Sequence, residues 1–160
     1  MSQRVTPHLW YSKHAEEAAQ LYAKIFPDSR VERVTPLPAA SPAGPAGSVK
    51  MVEFTVLGQG FFAITAGPHD EFNDAISFLV NCDDQGEIDR YWNALVEHGG
   101  KAVACGWVID RYGVRWQISP RPLHEWMTDE DPEKVRRVAE EMLRHTKFDL
   151  AKLEAAYKGT

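Results

Sequence analysis

Along the chain, short stretches in which every second residue is apolar alternate with longer ones in which every third or fourth is. The first, Arg4 to Tyr11, has period two, with Val5, Leu9 and Tyr11 on one side and Thr6, His8 and Trp10 on the other. This predicts a strand with two unlike faces. From His14 to Phe26 the spacing becomes helical, carried by Ala15, Ala18, Leu21, Tyr22 and Ile25. Ser12 is the expected N-cap, and Pro27 ends the helix because a residue before proline avoids the α region. Val31 to Leu37 reads as a strand. The uncharged run PAASPAGPAGS, residues 38–48, reads as a mobile flap with little to pack. Val49 to Leu57 and Phe61 to Ala66 then form a hairpin turned at Gly58-Gln59-Gly60.

The order then recurs. After the loop GPHDEFND, residues 67–74, a strand is expected from Ala75 to Cys82, with Ile76, Phe78 and Val80 toward the helices. A helix follows from Gln85 to His98 on Ile88, Tyr91, Trp92 and Leu95, stopped by Gly99-Gly100. Three short strands come next: Lys101 to Cys105, Trp107 to Ile109 and Val114 to Ser119, the last two joined through Asp110 to Gly113. Leu9 precedes Tyr22 by the same interval as Leu79 precedes Trp92, so an internal repeat is expected. Beyond Pro120 two helices are expected, one opened by Asp131-Pro132-Glu133 and running to His145, the other from Asp149 to Tyr157. The fold class is therefore α+β, with module one at about 4–66, module two at about 75–119 and a helical tail at about 120–160, all in one domain.

Composition removes several functions. The 160 residues are 44% hydrophobic and 26% charged, as in an ordinary globular protein, and the net charge is -5. Basic residues do not cluster, which argues against nucleic acid as a partner. No apolar run approaches a membrane span and MSQRVTPHLW lacks the apolar core of a signal peptide, so the expected location is cytoplasmic. Cys82 and Cys105 form no CxxC pair and are expected to be reduced thiols. Neither GxGxxG nor a P-loop is present, and no glycine-rich loop follows the first strand.

The segments VTPHLWYSKHAEEAAQLYAKIFPDSR, GSVKMVEFTVLGQGFFAITAGPHDEFNDAIS, QGEIDRYWNAL, CGWVIDRYGVRWQISP and FDLAKLEAAY resemble the PhnB-like proteins, a group labelled 3-demethylubiquinone-9 3-methyltransferase. This group sits within the glyoxalase, bleomycin-resistance and dioxygenase (vicinal oxygen chelate) superfamily. The resemblance implies two βαβββ modules whose curled sheets hold a ligand on their concave face, with modules commonly paired across a homodimer. In metal-dependent relatives, ligands stand on the first and last strand of each module. Those positions fall near Thr6 or His8, near Ile64 or Thr65, near Ser77, and at Gln117. With one histidine, helped by His69, and otherwise weak donors, these slots favour no metal, and no cofactor is expected.

The candidate ligand-binding residues are His8, Trp10, Thr65, Ser77, Trp107 and Gln117 on the strands, with His69, Phe72 and Asn73 at the rim beside the 38–48 loop. His8 is the single candidate for a general base. Two functions follow: a protein that binds a small, partly aromatic molecule without chemistry, or a metal-poor enzyme in which His8 acts as base while Gln117 and Ser77 orient a substrate carbonyl.

Overall fold

A computed structural model describes residues 4–68 and 70–160, in two compact units that divide between Glu71 and Phe72. In the first unit, β1 (His8–Tyr11), α1 (Ala15–Ile25), β2 (Arg30–Pro36), β3 (Lys50–Val56) and β4 (Gln59–Thr65) follow one another. The strands form one sheet in the order β1-β4-β3-β2, with β1 parallel to β4 and the other neighbours antiparallel. One face is covered by α1, which buries Ala15, Ala18, Ala19, Leu21, Tyr22 and Ile25. Leu9, Tyr11, Val52, Phe54, Val56, Phe61 and Ala63 are the buried sheet residues, and Phe54 stacks on Phe61 at 5.2 Å.

The expected first strand is shortened. Val5 is 82% exposed and residues 4–7 lie outside β1, so Val5 does not join Leu9 and Tyr11. Proline at position 7 has no N–H to give a ladder, and pairing begins at His8. Helix α1 is capped not by Ser12 but by His14, which takes a left-handed conformation (φ 69°) with no capping bond from its side chain. The hairpin turns one residue earlier than expected, at Leu57-Gly58, with φ of 50° and 78°. The 38–48 segment is bonded rather than loose: Leu37 and Gly47 N–H donate to Val49 and Leu37 carbonyls, and Ser41 and Gly44 exchange two backbone bonds.

The second unit repeats the order with β5 (Phe78–Cys82), α2 (Gln85–Glu97), β6 (Lys101–Ala102), β7 (Trp107–Ile109) and β8 (Arg115–Pro120), again with the first strand parallel to the last, in the order β5-β8-β7-β6. Asp84 caps α2 by accepting from Glu87 N–H at 2.8 Å. Residues 75–77 do not join β5, and Ile76 is 62% exposed rather than facing the helix. The strand expected from Lys101 to Cys105 stops at Ala102, ahead of the left-handed turn at Cys105 (φ 57°) and Gly106 (φ 76°). The tail holds three helices, not two: a short α3 (Leu123–Met127) precedes α4 (Pro132–Met142) and α5 (Leu150–Lys158). Leu123, Val138, Phe148 and Leu153 form its core. Cys105 and Gly106 N–H donate to the His145 and Thr146 carbonyls, each at 2.8 Å, which ties the tail to the module. No helix among the described residues is long and apolar enough to cross a membrane.

Candidate functional site

Strand register decides which side chains leave the helix-covered face. In the first unit the parallel pairing sets His8 beside Phe62 and Trp10 beside Ile64, and the antiparallel pairing sets Met51 beside Ile64 and Glu53 beside Phe62. All six stand on the face away from α1. His8 meets the edge of Phe62 with ring centroids 6.2 Å apart. Trp10 is 44% exposed, and Met51 and Phe62 are exposed with it. Water-facing apolar side chains on adjacent strands are the kind of surface that a ligand or partner covers.

At one end of this face lies a hollow of about 490 Å³. Its floor is Trp10 and Ile64, and its sides are Leu37, Val49 and Ala66. The rim is formed by Ser41, Pro42 and Ala43 on one bank and Pro68 on the other. The Ser41 hydroxyl accepts from Ala43 N–H at 3.2 Å, closing the tip of the flap as a tight turn. The volume lies within the range of small-molecule sites. Of the sequence-predicted residues, Trp10 and the 38–48 flap belong here. Ile64 is one of the two alternatives left open on the fourth strand, whereas Leu37, Val49 and Ala66 were not anticipated.

Thr65 is the clear correction. It follows Ile64 and therefore projects to the other face, where its hydroxyl accepts from Ala15 N–H at 3.1 Å at the start of α1. It supplies the cap that His14 does not, and so lies on the α1 side of the sheet. Of the two slots left open there, Ile64 is the one on the exposed face. Alternation alone could not choose, because Phe61-Ala63 and Phe62-Ile64 are both apolar sets.

In the second unit Trp107 and Gln117 are directly paired, with Leu79 opposite Gln117, and Val108 and Trp116 point into the helix-covered core. Gln117 Nε2 donates to Ser77 Oγ at 2.7 Å, so the two predicted polar residues do meet. The register is held by Asp110, buried at the β7–β8 turn. Its Oδ1 accepts from Tyr112 and Val114 N–H at 2.9 and 3.0 Å, and its Oδ2 from Trp116 Nε1 at 2.9 Å. Arg115 binds the segment before β5, donating to Asp74 Oδ1 at 2.8 Å and to the Phe72 carbonyl at 2.7 Å. Phe72 thus offers its backbone to β8, and Asn73 is a turn residue whose side chain accepts from Ala75 N–H at 2.9 Å. His69 lies outside the described residues.

Cys82 is fully buried, and burial, with Glu87 and Asp83 nearby, pushes its thiol up to about 12. Cys105 is partly buried, and both cysteines are free. Among the described residues no three His, Cys, Asp or Glu side chains stand together as a cation site would need, so no metal-dependent step is derived.

The sequence matches the family described as 3-demethylubiquinone-9 3-methyltransferase over residues 3–119. A search of curated proteins finds no match. Among solved structures, a PhnB protein from Bacillus cereus is 28% identical over 72% of this chain and 97% of its own, with a TM-score of 0.62. Protein PA1353 from Pseudomonas aeruginosa is 23% identical over 72% of this chain and 95% of its own, with a TM-score of 0.57. Glyoxalase I from Leishmania major shares the fold at 9% identity, covering 78% of this chain and 91% of its own with a TM-score of 0.54. Two βαβββ modules with parallel first and last strands, in the fold that glyoxalase I shares, and a family match that ends within β8 lead to one assignment: the chain belongs to the PhnB-like, 3-demethylubiquinone-9 3-methyltransferase family.

Proposed function

We propose that the protein binds a small organic molecule in the hollow beside Trp10 and carries out no chemistry on it there. The supporting observation is the composition of the walls. Among the described residues, none of the nine that line the hollow has an ionisable side chain, and Ser41, the one with a hydroxyl, uses it within its own turn. A reaction needs a group to move a proton or attack a carbon, and the described residues of this hollow supply neither. In the second unit Gln117 and Ser77 are engaged with each other, which weakens their case as substrate-orienting groups. The test is a thermal-shift and calorimetric screen of small aromatic and keto-acid compounds, with every hit then assayed for turnover. Binding that is lost in Trp10→Ala and leaves the ligand unchanged is the expected result. Conversion of a hit, or its methylation when S-adenosylmethionine is supplied, would instead establish the enzyme reading. Metal analysis of the purified protein accompanies the screen, because a stoichiometric divalent ion would also favour an enzyme.

A further inference from the structure

We infer that the hollow selects uncharged ring compounds and rejects anionic and cationic relatives of the same shape; this rests on the proposed binding function and specifies its ligand class. The floor supplies one large aromatic plane, Trp10, with Ile64 from the neighbouring strand beside it. An indole face rewards a flat apolar partner through area and stacking. The walls, Leu37, Val49 and Ala66, contain only hydrocarbon side chains. A charge carried into such a hollow loses its water and finds no counter-ion, a penalty far larger than the loss of one apolar contact.

The flap reinforces this selection, because it is prebuilt rather than adaptable. Its base is closed by the Leu37–Val49 and Gly47–Leu37 backbone bonds at 2.8 Å, and its tip by the paired Ser41 and Gly44. Gly67 stands across from the tip at φ 75°, where a side chain would come within 3.9 Å of the Ala43 methyl. The mouth is therefore bounded by an uncharged turn on one bank and, on the other, by Pro68, which follows a glycine in a conformation other residues avoid. Among the described residues no charged side chain belongs to either bank. Another hollow in this unit, about 480 Å³ around His14, Glu16, Glu17 and Lys50, has the opposite character, so apolar lining is not general to the surface.

Three probes of one shape test the selection: 1-naphthol, 1-naphthoate and 1-naphthylmethylammonium, titrated calorimetrically at pH 7 into the full-length protein. The neutral probe should bind at least about tenfold more tightly than either ion, from the desolvation penalty. Trp10→Ala should weaken it by a similar factor. Ile64→Glu, on the exposed face, should reverse the order and bring in the ammonium, with circular dichroism and the urea midpoint reporting that both variants remain folded. If the ions bind as well as the naphthol and lose affinity in Trp10→Ala, the selectivity is wrong while the site stands. Should no probe show binding that depends on Trp10, the site reading itself fails.

Discussion

Asp110 shows at the scale of single residues how a sequence motif becomes site geometry. In D-x-x-G-x-x-W the aspartate receives two backbone N–H groups and the indole N–H two strand positions on, and glycine at 113 (φ 91°) closes the turn. Holding Trp116 inward is what turns Trp107 and Gln117 outward. Asp110→Ala should therefore cost about 2–4 kcal/mol, from an unsatisfied buried indole donor and a lost turn, read as a lower urea midpoint. Leu57 makes the opposite case. It occupies the first centre of a two-residue turn that needs positive φ and suits Asn-Gly, so Leu57→Asn should raise stability by about 0.5–1 kcal/mol. Alternation assigned Trp10 to the face opposite Leu9 and Tyr11 without help. It could not assign Thr65, because neither face of β4 is polar enough to mark itself.

Among elements, the regular ones were legible and their ends were not. Both module helices were readable from spacing alone, since a three-turn apolar stripe tolerates an error of one residue. Strand ends depend on a partner's length, which no local pattern encodes; β5 stops where β8 stops pairing with it. The same non-local logic makes Thr65 part of a helix. Thr65→Val should destabilise α1 by about 1 kcal/mol as a lost cap, and an exposed-face threonine would show no such loss. Where β5 meets α2, Cys82 and Tyr91 are both pushed up to about 12, chiefly by burial. Each holds its proton more tightly folded than unfolded, where the ordinary values are 9.0 and 10.0. The stability they contribute is thus complete below pH 9 and is lost as the pH climbs toward 12. Urea midpoints should fall over that window, and less steeply in Cys82→Ala.

For the molecule as a whole, the repeat was legible because the order of elements survives where identity between the halves does not. The tail was legible as helices but not as part of module two, because its attachment is a glycine. A methyl group on Gly106 would lie 2.5 Å from Phe148 Cε2 and 2.8 Å from the Ile118 carbonyl. Gly106→Ala should consequently cost more than about 2 kcal/mol, from left-handed strain plus a displaced core ring. A chain ending at Arg121 would contain the whole family match and still lose the cover over Cys105 and Gly106; a broadened, non-cooperative melt of the second unit is expected. The parallel pairing of first and last strand has a consequence for the order of assembly. The β2-β3-β4 meander closes through short connections, whereas β1 must wait for β4 and then return across the helix to find it, the slowest kind of loop closure in the unit. Lying at the sheet edge with a single neighbour, β1 should be the last strand to form and the first whose amides exchange with deuterium. Trp10 rides on that strand, so a ligand resting on it would fasten the seam on which the module closes, and amide protection at Leu9 and Tyr11 should report occupancy from the far side of the sheet.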